Sequence, residues 1–149
     1  MGEIRGERSV EIAAPIEKCF AIAANIQDAP EWQESLKDVD VIERDGDKHA
    51  SLVDTAWDAK VKTLKSTLRF TYDEPRGIKW VQEKGETKSV QGYWRFEELG
   101  PDTTRATYGL IVDPGLMLGM LLRGPTEAKV REFLLRGAAE GLKSKAESG

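Results

Sequence analysis

The sequence predicts an α+β protein in which a curved, seven-stranded antiparallel sheet wraps around one long C-terminal helix, with two short helices near the N-terminus. Three observations lead there. Residues 10–32 run from an alternating strand through Pro15 into a short amphipathic helix that stops at Pro30 and Trp32. From Leu36 to Val112 the hydrophobic period becomes two and is broken by turn residues. After Gly124-Pro125 the period lengthens to that of a helix and holds almost to the end of the chain.

In the first segment Val10 and Ile12 alternate with Ser9 and Glu11, the pattern of a sheet with one covered face. Pro15 fixes φ and suits a helix N-terminus, and Ile16, Phe20, Ala23 and Ala24 fall about a turn apart on one face. The residue before Pro30 is biased away from helix, so Asp28 to Trp32 begins a separate short turn or helix that carries Trp32 back towards the sheet. Strands are then expected near 38–44, 48–57, 60–73, 77–84, 89–98 and 103–113. They are separated by Asp45-Gly46-Asp47, Glu74-Pro75-Arg76-Gly77, Lys84-Gly85-Glu86 and Leu99-Gly100-Pro101-Asp102.

The covered face follows from phase. Leu68, Phe70 and Tyr72 share it on one strand, Ile78 and Trp80 on the next, Val90, Trp94 and Phe96 on another, and Tyr108, Leu110 and Val112 on the last. Arg69, Lys79, Arg95 and Arg105 occupy the opposite phase. A sheet apolar on one side needs a cover, which the tail supplies: Val130, Phe133, Leu134, Gly137, Ala138, Gly141 and Leu142 recur at helical spacings. Glycine costs a helix about 1 kcal/mol relative to alanine, so Gly137 and Gly141 imply close packing or reserved space.

A chain of 149 residues suits one domain with its own core, taken here as 1–149. With 22 basic and 26 acidic residues in no long block, nucleic acid is excluded as the main partner. The longest uncharged apolar stretch, Pro114 to Leu122, is less than half a membrane span, so no stable membrane insertion is expected. One cysteine, Cys19, makes no internal disulfide, and the N-terminus carries no targeting pattern; a cytoplasmic protein is expected.

Four stretches then carry a resemblance: VEIAAPIEKCFAIAANIQDAPEW at 10–32, VDVIERDGD at 39–47, YWRFEELGPDTTRATYGLIVDPG at 93–115, and the terminal amphipathic helix with Leu142. Together they resemble the START-like (SRPBCC) helix-grip superfamily, and within it the bacterial polyketide cyclase/dehydrase and coenzyme-Q-binding type domains. The resemblance implies a helix-grip fold with a ligand cavity between the sheet and the long helix. Its members bind lipids, quinones, polyketides or other apolar molecules, some as enzymes and many as carriers.

Tyr72, Trp80, Gln82, Trp94 and Tyr108 form the leading constellation for such a ligand, since large apolar bodies there carry a hydroxyl, amide or indole N–H. The same residue types also fill ordinary cores. Leu52, Phe70, Phe96 and Leu110 share the wall, Phe133 and Leu134 face it from the helix, and Phe20 and Trp32 close one end. Asp54 shares phase with Leu52 and Ala56; if that phase faces inward, a carboxylate sits in an apolar lining with a raised pKa, and if the strand is shifted, Val53, Thr55 and Trp57 face in instead. Asp54, Tyr72 and Tyr108 are the candidate proton-moving groups. The single histidine, His49, is placed at the surface beside the Asp45-Gly46-Asp47 turn, without a catalytic partner. One His and one Cys do not make a zinc site, no carboxylate spacing resembles a calcium loop, and no motif calls for a cofactor.

The stretch from Asp113 to Arg123 is the other candidate, with Met117, Met120 and Leu121 as adaptable ligand contacts or as a gate, a homodimer contact or a membrane-touching patch. Its ordinary alternative is a short helix tucked under the main one. Three functions compete: a carrier of a hydrophobic small molecule, a polyketide aromatase/cyclase or dehydratase, and a protein-interaction module.

Overall fold

The computed structural model describes residues 3–148, and the seven strands occur in the expected order. They are β1 (Ile4–Ile12), β2 (Leu36–Arg44), β3 (Ala50–Asp58), β4 (Thr63–Asp73), β5 (Gly77–Gly85), β6 (Ser89–Gly100) and β7 (Thr103–Asp113). All neighbours are antiparallel in the spatial order β1-β7-β6-β5-β4-β3-β2. The central six form a meander because every turn between them is short, and β1 adds itself beside β7 through a register from Ile4↔Val112 to Ile12↔Thr104. Between β1 and β2 lie α1 (Ile16–Ala24) and a 3-10 helix (Ile26–Glu31); α2 (Gly115–Leu121) and α3 (Pro125–Glu147) follow β7. The curved sheet grips α3 in a helix-grip fold.

Local chemistry accounts for the boundaries. Pro15 holds an extended conformation before α1, and Pro30, which lacks an N–H, lies inside the 3-10 turn that replaces a second α-helix. Gly124 adopts φ 59°, a conformation other residues rarely take, and Pro125 opens α3. β4 starts at Thr63 rather than at residue 60, because Lys60 has φ 69° and turns the chain before the ladder resumes. β1 begins at Ile4, earlier than the alternation from Ser9 suggested, since Gly6 lets Leu135 of α3 lie against the strand.

α3 buries Val130, Phe133, Leu134, Leu135, Ala138, Ala139, Leu142 and Ala146 against the sheet and α1. It runs alongside β1 in the same direction, held by polar clasps: Arg8 pairs with Glu132, and Lys143 Nζ donates to the Glu11 carbonyl at 2.7 Å. At the end of the helix Glu147 Oε2 accepts from the Ala13 backbone N–H and from Lys143 Nζ, both at 2.8 Å. Among the described residues no helix is long and apolar enough to cross a membrane.

The Ala13 N–H, and after it the Lys143 ammonium, hold the Glu147 carboxyl below the usual carboxylate range. A depressed carboxyl pKa contributes stability that is present above the unfolded value and lost as pH falls through the folded one. Glu147→Gln is therefore expected to lower stability at neutral pH, to lose this disadvantage on acidification, and to move the acid-unfolding midpoint upward. Urea titrations at neutral and acid pH check this; an equal deficit at both would remove the clasp from the account.

Candidate functional site

The site is built from the sheet register. Phe70 faces Trp80 across β4 and β5, and Trp94 faces Tyr108 across β6 and β7. Trp80 lies opposite Gly92, where a Cβ would fall 2.3 Å from the indole, so the ring passes over the glycine and reaches Tyr108 two strands away. The result is a continuous aromatic wall. Centroid separations are 5.5 Å for Phe70–Trp80, 5.6 Å for Trp80–Tyr108 and 4.9 Å for Trp94–Tyr108, and Trp32 adds a further indole 6.3 Å from Trp94.

Between this wall and the helices lies a cavity of about 80 Å³. Trp32, Phe70, Trp80, Trp94, Tyr108, Leu110 and Leu134 line it, as do Leu68, Val90 and Val112 from the sheet and Ala23, Ile26 and Ala29 from the helical pair. Its partly exposed lining residues, Trp32, Gln33, Leu36 and Trp57, are gathered where the 3-10 helix meets the paired ends of β2 and β3, which makes that corner the mouth. Beside it, Lys60 Nζ sits 3.9 Å from the Phe133 ring centroid, a cation–π contact between the β3–β4 turn and α3.

The lining is chemically quiet. Thr55 spends its hydroxyl on the Ser66 carbonyl at 2.8 Å, and the Trp57 indole N–H donates to Ser66 Oγ at 3.1 Å. Tyr108 is the only titratable side chain among the lining residues. Burial pushes its hydroxyl well above the usual phenol value, and the nearby Gln33 carboxamide only partly offsets this. Tyr108 therefore stays a neutral phenol that can donate a hydrogen bond, with a carboxamide beside it.

Several sequence candidates lie elsewhere. Asp54 and Leu52 point away from the cavity, because β3 pairs Val53 with Leu68 on the inner face. That register keeps the carboxylate in water, where it accepts from Thr67 Oγ1 at 2.6 Å, and avoids burying an unpaired charge. Phe20, Tyr72 and Phe96 lie outside the cavity lining, 6.3 Å from Phe20 to each of the other two rings, and back the wall through Phe70–Tyr72 at 6.4 Å and Trp94–Phe96 at 5.8 Å. There Tyr72 Oη donates to the Ala50 carbonyl at 2.6 Å, and burial, followed by the nearby Asp45 carboxylate, raises its pKa. Gln82 exchanges hydrogen bonds with Thr87 at the far end of β5. Phe133 is buried next to the lining residue Leu134 without lining the cavity itself. Met117, Met120 and Leu121 stand exposed on α2, which is not tucked under α3.

His49, expected at the surface, is largely covered: its ring stacks on Tyr72 at 4.3 Å and meets the edge of Phe20 at 5.9 Å. Among the described residues its Nδ1 has no hydrogen-bond partner, with Asp45 3.9 Å away. Asp45, Asp47 and His49 bring ligand-type atoms within 4.8 Å of one another, but Asp45 Oδ1 already accepts from the backbone of Asp47 and His49 as the cap of the turn. Gln33 and Ser35, which sequence reasoning missed, sit in an aperiodic connection where phase gives no signal.

The matched family is described as "Polyketide cyclase / dehydrase and lipid transport", and the match spans residues 3–147. Among curated proteins none matches the chain. Solved structures do. A START superfamily protein from Mycobacterium smegmatis is 21% identical with a TM-score of 0.83, covering 96% of this chain and 97% of its own. A protein from Thermus thermophilus is 20% identical with a TM-score of 0.80, covering 97% and 96%. An aromatase/cyclase from a Streptomyces species is 18% identical with a TM-score of 0.76, covering 97% and 94%. At these identities the likeness is one of fold, while the family match covers nearly the whole chain: the protein belongs to the polyketide cyclase/dehydrase and lipid transport family.

Proposed function

We propose that the chain is a single ligand-binding domain that carries a hydrophobic small molecule, such as a lipid, quinone or polyketide, between sheet and helix in the cytoplasm. The observation behind this reading is the lining itself, aromatic and aliphatic, with a neutral phenol and a carboxamide among its few polar groups. Such a lining suits a ligand with a ring or branched apolar body and one oxygen. A cavity of about 80 Å³ is far smaller than the roughly 300–1,000 Å³ of ordinary ligand sites, so a long ligand enters only as the mouth at Trp32, Leu36 and Trp57 opens.

Native mass spectrometry of the protein after incubation with a cell lipid extract tests the reading, and a protein that retains nothing would count against it. A defined probe sharpens the test. 1-Naphthol is expected to bind Tyr108→Phe about tenfold more weakly than wild type, the loss of one hydrogen bond. Naphthalene should bind both alike, and Asp54→Asn should leave both ligands unaffected. Isothermal titration calorimetry reads each.

A cyclase reading is favoured by one observation, the Tyr108 hydroxyl beside Gln33 on a shaped apolar wall, where a phenol could hydrogen-bond a folding poly-β-ketone. The same wall lacks a carboxylate, imidazole or amine to accept a proton, and this supports the carrier reading.

A further inference from the structure

We propose that α2 docks the protein on the surface of a lipid bilayer bearing anionic headgroups. The helix has no polar face, and its large apolar side chains stand in solvent: Leu116 is 80% exposed, Met117 82%, Met120 59% and Leu121 55%. At about 100° per residue these four side chains occupy a single arc of roughly 140°. None of the helix's residues is buried, and none from Gly115 to Leu121 carries a hydrogen-bonding side chain. The helix is held at its base by Leu122, 2% exposed, and lies between Gly115 and Gly124, both at positive φ.

Charge and area select the occupant. The acids bordering α2 are engaged: Glu3 by Arg5 at 3.0 Å, Asp113 by Lys88 at 4.0 Å, and Glu127 by Arg131. Arg123, exposed at the end of the helix, is in no ion pair among the described residues and is free to meet a phosphate. A second copy of the chain is a poorer fit. The four side chains present on the order of 500 Å², short of the roughly 800 Å² per partner of a stable dimer. They also offer none of the side-chain hydrogen bonds that a specific protein interface spreads over its area. A bilayer interface asks only for apolar side chains beside a cation.

α2 begins three residues after Val112, a residue of the cavity lining. Docking at α2 would bring the cavity wall to the membrane, a step that rests on the carrier reading; docking itself does not.

Flotation with vesicles of equal parts phosphatidylcholine and phosphatidylglycerol tests the proposal. Wild type is expected to float with the vesicles, and the Met117→Asp, Met120→Asp double variant to lose at least about tenfold of the bound fraction. Arg123→Gln should weaken binding to these vesicles while leaving binding to pure phosphatidylcholine unchanged. A wild type that stays in the aqueous fraction, or a double variant that floats equally well, would overturn docking. So would a wild-type dimer on size-exclusion chromatography that the double variant abolishes, because the patch would then belong to a second copy. The double variant should bind 1-naphthol as wild type does. Naphthol binding absent from both proteins, with flotation intact, would sink the cavity reading and leave docking standing.

Discussion

Trp94→Ala is expected to destabilise the protein by about 3–5 kcal/mol, the range for removing a large buried aromatic. Trp94 is 4% exposed and touches three other rings: Tyr108 at 4.9 Å, Phe96 at 5.8 Å and Trp32 at 6.3 Å. Its removal joins a new void to the existing one, and the rigid strands on either side collapse little, which places the cost toward the upper end of that range. Against a total of about 5–15 kcal/mol for a typical domain, little stability would remain. The enlarged space should also accept a replacement ring. Added indole is expected to raise the melting temperature of Trp94→Ala more than that of wild type, because a ligand that binds only the native state stabilises it. A loss under about 1 kcal/mol, or equal indole responses in both proteins, would mean the wall is not packed as described.

Gly141→Ala should destabilise by about 2 kcal/mol, although alanine is the better helix former by about 1 kcal/mol. A Cβ at residue 141 would lie 2.0 Å from the Trp32 carbonyl oxygen and 3.1 Å from its carbon. Both partners are backbone, so no rotamer relieves the clash, and α3 must move away from the segment that carries Trp32. Gly137, one turn earlier, provides the control. Its nearest neighbour would be Glu34 Cβ at 3.7 Å, an ordinary contact, so Gly137→Ala should stabilise by up to about 1 kcal/mol. Thermal melts check the pair: a fall of roughly 4–8 °C for one against a small rise for the other. The same sign in both would remove the close approach as the reason for Gly141. Because Trp32 also borders the mouth, Gly141→Ala should weaken naphthol binding in addition.

Both expectations depend on features the sequence only half revealed. Strand order, the inward phase of Phe70, Trp80, Trp94 and Tyr108, and the start of α3 at Pro125 all follow from period and punctuation. The phase of β3 does not, because Leu52 with Ala56 and Val53 with Thr55 are equally plausible inward pairs until the partner strand selects one. Leu68 opposite Val53 makes that selection, and Asp54 goes to solvent with it. The partial covering of His49 is hidden for a related reason: its ring is flanked by Tyr72 and Phe20, residues distant in sequence that meet it only once the sheet curls. Gln33 gives no signal because a non-repeating connection has no period to read. The closeness of Gly141 to Trp32 is likewise a tertiary fact, for which a glycine on a helix face is only a hint.

The passage of Trp80 over Gly92 belongs to a wider concentration of indoles: Trp32, Trp57, Trp80 and Trp94, the chain's four tryptophans, all border the same small space. Nearly all of the protein's near-ultraviolet emission therefore originates at one wall, with Tyr108 close enough to pass excitation into it. Water admitted at the mouth, a ring slipped between Trp80 and Trp94, or a displaced Trp32 would each alter its colour or yield. The molecule thus carries a built-in optical reporter whose signal comes from the cavity rather than from the fold at large.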